Sequence, residues 1–227
     1  MPTVNKLLIA LCSAIFISSC VTESFHDSST AEFVDPVELT EVPFYPQSRY
    51  QCGPAALASV LNYSGLNVDK EQLTGDIYLP DRKGSLQVEM IAAIRRYGRV
   101  PYVYQGNLQS ILVQLQEKRP SLVLLNLGLK TFPVYHYAVV VGYQSNSDEI
   151  ILRSGTDPRR LMQRKKFLSS WNRAGSWALV VLPAGVLPDA IDVESYLEAV
   201  VALDAGGQWQ LAETGYLAVL QRQPENL

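Results

Sequence analysis

Hydrophobic and polar positions change their period twice along this chain, and the changes mark out its elements. Residues 7–17 form one short apolar stretch, broken only by Ser13 and preceded by Lys6. At eleven residues it is too short for a membrane-spanning helix, which needs roughly 20. With the small residues Ser18 and Ser19 after it, residues 1–19 read as an export signal. From residue 21 to 40 the chain carries Glu23, Asp27, Glu32, Asp35 and Glu38 with no Lys or Arg, a composition that predicts an extended acidic tether. Helical spacing follows. One helix is expected from Cys52 to Tyr63, with Pro54 tolerated in its first turn and Gly65 ending it. A second covers about 86–97, and a third covers 108–118 behind Asn107 as a candidate cap.

Beyond Pro120 the period shortens. Residues 121–127, 137–143, 149–153 and 177–182 are apolar or β-branched runs bounded by Gly, Asn and Ser, and so predict strands, with a short helical turn over 166–171. Helices followed by a mostly antiparallel sheet make an α+β domain over about residues 41–184. Residues 190–227 read as a separate helical hairpin, with helices over 193–204 and 208–221 either side of Gly206-Gly207 and Pro224 closing them. Tyr196, Leu203, Ala212, Tyr216 and Pro224 resemble the spacing of one tetratricopeptide repeat, with Val219 where that pattern wants Ala. A single repeat cannot bury its own apolar face. It therefore packs on the domain, on missing repeats or on a protein partner, unless it is simply a hairpin that covers the core.

The chain has 227 residues, 48% hydrophobic and 18% charged, with a formal net charge of −3. That apolar fraction is enough for a packed core and excludes wholesale disorder. No long basic tract is present, which argues against nucleic acid as a partner. Three Cys and two His cannot make the usual four-ligand structural zinc site, and no phosphate-cradling glycine loop occurs, so no cofactor is implied.

Ile17-Ser18-Ser19-Cys20 resembles the lipobox of bacterial lipoproteins, in which the Cys becomes the acylated first residue of the mature chain. The plainer alternative is an ordinary cleaved signal with Cys20 a bystander. Acylation of Cys20 implies an anchor in the cell envelope. Val21 after it implies, by the same resemblance, the outer membrane, with the domain facing the periplasm. Cys12 leaves with the signal, so Cys52 is the one free thiol expected in the mature protein. A lone thiol in an oxidising compartment asks for a reason.

Cys52 stands at a predicted helix start, where backbone N–H groups and the dipole favour a thiolate. His136, the only His outside the tether, opens the apolar strand His136-Tyr137-Ala138-Val139-Val140-Val141-Gly142-Tyr143. One Cys and one His at element termini suit a nucleophile and its general base. Gln47, in the loop before Cys52, is a candidate donor to an oxyanion, with Gln51 as a nearby competitor for that role.

Val42-Pro43-Phe44-Tyr45-Pro46-Gln47, Cys52-Gly53-Pro54-Ala55-Ala56-Leu57 and the strand from His136 together resemble the bacteriocin leader-peptidase (double-glycine peptidase) family of papain-like cysteine peptidases. The resemblance covers about residues 41–183. It implies a papain-like fold, Cys52 as nucleophile, His136 as base, Gln47 as oxyanion donor and a peptide or protein substrate. It also implies an Asp, usually within Asp-Pro, that orients the imidazole. Asp157-Pro158 has those letters, but it follows Arg153-Ser154-Gly155-Thr156, so the orienting position falls on either Asp157 or Ser154. Two activities stay open: a membrane-anchored peptidase, or a non-catalytic lipoprotein that binds peptides or partner proteins through the same cleft and the helical tail. Arg159, Arg160, Arg164, Lys165 and Lys166 form a basic run, expected to be a solvated loop or, more sharply, a contact for an acidic substrate or lipid headgroups.

Overall fold

A computed structural model describes residues 36–225. The expected signal, Cys20 and most of the expected tether lie outside the described residues. In chain order the elements are β1 (Val37–Glu38), α1 (Cys52–Tyr63), α2 (Lys70–Ile77), α3 (Gln87–Arg96), β2 (Arg99–Gln105), α4 (Leu108–Gln116) and β3 (Ser121–Asn126). They continue with β4 (Tyr135–Gln144), β5 (Glu149–Ser154), β6 (Asp157–Gln163), α5 (Arg164–Asn172), β7 (Trp177–Pro183), α6 (Val193–Ala205) and α7 (Trp209–Arg222).

All the strands join one antiparallel sheet in the order β2-β7-β3-β4-β5-β6, with β1 added to β4. β4 is its axis. It pairs with β3 along residues 135–140, with β5 from Val139 onward, and with β1 at Gly142 and Tyr143. Every residue of β3 is buried, as are Tyr137 to Tyr143 of β4, which is why both read as continuous apolar runs rather than alternating ones.

α1 packs across β3, β4, β5 and β7 and is buried from Gly53 to Leu61. A helix apolar on all sides belongs in a core, and its Ala-rich sequence allows close approach to the sheet. Side-chain caps set the starts of three other helices. Asp69 accepts from the N–H groups of Glu71 and Gln72 at 2.6 and 3.0 Å, Asn107 from Ser110 at 3.1 Å, and Asp192 from Ser195 at 2.8 Å.

Four elements depart from the reading of the sequence. β2 was not expected, because Pro101 interrupts a short alternating run. α2 was not expected either, because Gly75 and four charged or amide side chains hide its two buried residues, Leu73 and Ile77. The basic run was expected as a loop, but its first part is the edge strand β6, exposed at every position except Met162. Composition also placed residues up to Thr40 in the tether, yet Val37–Glu38 pair with β4, and Leu39 and Val42 are buried in the main core. Acidic neighbours masked the apolar residues there.

The arginines hold this N-terminal segment down. Arg159 grips the Glu38 carboxylate with Nε and Nη2 at 2.8–3.1 Å, and Arg153 donates to the carbonyls of Val42 and Thr40 at 3.1 and 2.9 Å.

The C-terminal helices form a second core with the sheet. Tyr196, Ala199, Val200 and Leu203 of α6 and Ala212 and Val219 of α7 are buried with Val100 and Tyr102 of β2 and Val180 and Leu182 of β7. The tail thus buries its apolar face on the domain itself. Fully buried Tyr196 also accepts a hydrogen bond from the Gly185 N–H at 3.3 Å. Tyr196→Ala is expected to destabilise the whole chain by about 3–5 kcal/mol, the usual cost of deleting a buried aromatic. Thermal unfolding should then remain one transition at a lower Tm; an unchanged Tm would mean that the tail contributes nothing to the domain.

Candidate active site

The loop into α1 is shaped for one turn of chain reversal. Gln51 N–H donates to Ser48 O at 3.1 Å, and Tyr50 between them adopts φ 68°, a left-handed conformation unusual for a bulky residue. α1 then opens directly on Cys52. Gly53 is required there, because a Cβ at that position would sit 2.7 Å from both Cβ and Oγ of Ser85. The start of α1 is therefore wedged against the segment that leads into α3.

On the other side it meets β4. The backbone N–H groups of Tyr137, Gly53 and Cys52 itself all favour the Cys52 thiolate, Tyr137 most strongly. The Tyr137 hydroxyl donates to Ser85 O at 3.4 Å, closing a ring of contacts around the thiol. His136 is the residue before Tyr137, so the strand that supplies the Tyr137 N–H also carries the His.

The imidazole is held from β5. His136 Nε2 lies 2.9 Å from the Oγ of buried Ser154. With Nε2 engaged by Ser154, Nδ1 is the ring nitrogen left to act on a thiol. Asp157 lies elsewhere. The chain reverses tightly at Gly155 (φ 68°) and Thr156, which sets Asp157 across from Ser154 at the start of β6. Its exposed carboxylate accepts from the Arg159 N–H at 2.9 Å. Of the two candidates for the orienting position, only Ser154 bonds to the imidazole; the Asp-Pro letters open β6. Gln47 joins the same corner through its backbone, donating to Gly155 O at 3.1 Å, with its side chain half-buried.

The electrostatics also differ from expectation. The sequence suggested a helix start that lowers the thiol pKa. Here burial pushes the Cys52 thiol up and outweighs the three N–H groups that pull it down. Burial, and then the Arg160 guanidinium, lower the His136 pKa to about 4. Among the described residues no carboxylate bonds to the ring to offset either effect. Near neutral pH these shifts favour a thiol at Cys52 and a neutral imidazole at His136. Sequence reasoning did not anticipate two contributors, the Tyr137 N–H and Ser85. Both act through backbone or through close packing, which no residue pattern reveals.

An α+β domain with an antiparallel sheet, a buried helix opening on Cys and a strand opening on His has the papain-like fold of C39 peptidases. The chain belongs to the Peptidase_C39 like family, whose model matches residues 39–179. Solved structures share the fold. A candidate C39-like peptidase from Bacillus anthracis superposes with a TM-score of 0.54 at 18% identity, covering 65% of this chain and 98% of that one. The peptidase domain of Streptococcus ComA, a bifunctional ABC transporter involved in quorum sensing, gives 0.51 at 21% identity over 63% and 98%. A double glycine motif protease from an AMS/PCAT transporter, in complex with its leader peptide, gives 0.51 at 23% identity over 65% and 97%. No curated protein matches the sequence.

The low His136 pKa has a measurable consequence. An unfolded His titrates near 6.5, so between about pH 6.5 and 4 the unfolded chain binds a proton that the native chain does not. Stability should therefore fall as pH drops through that window. His136→Gln should flatten this part of the urea midpoint against pH curve. Ser154→Asp, which sets a carboxylate beside Nε2, should raise the imidazole pKa, read by NMR titration of its ring protons.

Proposed function

We propose that this protein is a membrane-anchored cysteine peptidase working with a neutral Cys–His pair. The observation that carries this reading is the packing of α1, which opens on Cys52, against β4, which opens on a His136 held by Ser154. Cys52 attacks a peptide carbonyl while His136 removes its proton in the same step. The amine leaves with that proton, and water then releases the acyl group from the sulfur. The Cys52 N–H and the Gln47 side chain stabilise the oxyanion. A base with a pKa of about 4 is already unprotonated across the neutral range, so the site needs no preformed ion pair. Acylation of Cys20 anchors the domain in the cell envelope, at the outer membrane on its periplasmic side. The substrate is a peptide or protein there, and the related double glycine motif protease bound to a leader peptide supports a peptide ligand. Exposed Trp209 and Leu217 on α7 support a protein partner for the tail.

One observation favours a second reading. A Ser where the family resemblance implies an acid, with the Cys52 pKa raised and the His136 pKa lowered, also fits a cleft that binds peptides without cutting them.

Hydrolysis of a peptide library by the full chain, read by mass spectrometry, separates the two. On the peptidase reading Cys52→Ala abolishes cleavage, and Gln47→Ala lowers the rate by about 10²–10³. Activity should also persist at pH 5, where an ordinary His would already be protonated. Peptide capture without any cleavage, equal in the native chain and in Cys52→Ala, would establish the binding protein instead.

A further inference from the structure

The hairpin that delivers His136 to the site ends in an apolar tip. Between Asn126 and His136 the chain reads Leu127-Gly128-Leu129-Lys130-Thr131-Phe132-Pro133-Val134-Tyr135. Five of these nine side chains are large, apolar and exposed: Leu127 (41%), Leu129 (67%), Phe132 (76%), Val134 (58%) and Tyr135 (58%). Single exposed hydrophobic residues are ordinary, whereas a contiguous set on one projection marks an interaction surface.

Part of the tip's backbone is bonded within the tip. Leu127 N–H donates to Val134 O at 2.8 Å and Leu129 N–H to Phe132 O at 3.1 Å. The buried Asn126 amide accepts from the Gly128 and Val134 N–H groups, each at 3.0 Å, and donates to Leu129 O at 3.2 Å. Pro133 has no N–H to satisfy. Each such bond lowers the cost of taking that part of the backbone out of water.

Charge points the same way. From residue 118 to 147 there is no Asp or Glu. Lys130 stands at the apex, and Arg173, donating to Asn126 O at 2.8 Å, stands at the base. Tyr135, at the neck, has the amphipathic ring favoured at a bilayer interface. Three surface cavities, of about 370, 300 and 450 Å³, are lined by other residues, so these side chains line none of them.

We propose that the tip formed by residues 127–135 inserts into the headgroup–acyl boundary of an anionic lipid bilayer and so seats the Cys52–His136 site at the membrane surface. This does not depend on peptidase activity. It shares with the reading above only a lipid surface as the working place, and insertion by the tip is separable from anchoring through Cys20.

The test uses the full chain with vesicles of phosphatidylethanolamine and phosphatidylglycerol whose acyl chains are brominated. Phe132→Trp places an indole at the tip; its quenching is read against the native chain, while co-sedimentation reports attachment by any route. Quenching of the introduced indole beyond the native background is the expected result. In a Cys20→Ser background, replacing Leu129 and Phe132 together by Ser should then weaken vesicle binding by roughly tenfold or more. Co-sedimentation with no extra quenching would leave the anchor standing and overturn the insertion. Absence of both would overturn the insertion as well. Protection of the indole by added peptides but not by lipid would overturn it in favour of a peptide-docking tip.

Discussion

The candidate site depends on packing α1 against β4, which sets the Cys52 thiol beside the strand that carries His136 and the Tyr137 N–H. α1 is apolar and Ala-rich, so it can press on the centre of the sheet with Cys52 as its first residue. Gly53 makes the approach possible, since any side chain there would meet Ser85. The thiol is thereby partly withdrawn from water. The burial that positions it is also what raises its pKa.

The same trade runs through the imidazole. A carboxylate at Nε2 would stabilise the imidazolium and favour an ion pair. The Ser154 hydroxyl can donate or accept, so it orients the ring without adding charge. With Arg160 nearby, protonation of His136 is disfavoured further. Both shifts favour the neutral forms of the two groups, and on the peptidase reading proton transfer accompanies attack rather than preceding it. This resembles the logic of hydroxyl nucleophiles more than that of preformed thiolates.

Much of this was legible in the sequence, and the rest was hidden for identifiable reasons. Cys52 at a helix start and His136 at a strand mouth could be read because each sits at an abrupt change of hydrophobic period. α1, α3, α4, β3, β4, β5 and β7 followed from the same periodicity to within a few residues. The orienting residue was not decidable, because Ser154 and Asp157 lie either side of a reversal whose position depends on β6. That strand is an exposed edge, its sequence polar enough to read as a loop. The resting place of the tail was hidden by the loss of β2. Once Arg99–Gln105 is seen as a strand, Val100 and Tyr102 offer the apolar face that α6 covers. Both omissions are short segments whose conformation is set by tertiary pairing rather than by local preference.

The central claim, that Cys52 and His136 rest as a neutral pair, is tested most directly by the pH dependence of Cys52 alkylation with iodoacetamide, followed by intact mass in the native chain and in His136→Ala. A neutral pair predicts slow labelling from pH 5 to 8 and a rise only in the alkaline range, above the ~8.5 of an ordinary thiol, with little change in the variant. A fast plateau at pH 5–7 that collapses in His136→Ala would show a preformed thiolate–imidazolium pair and contradict the account.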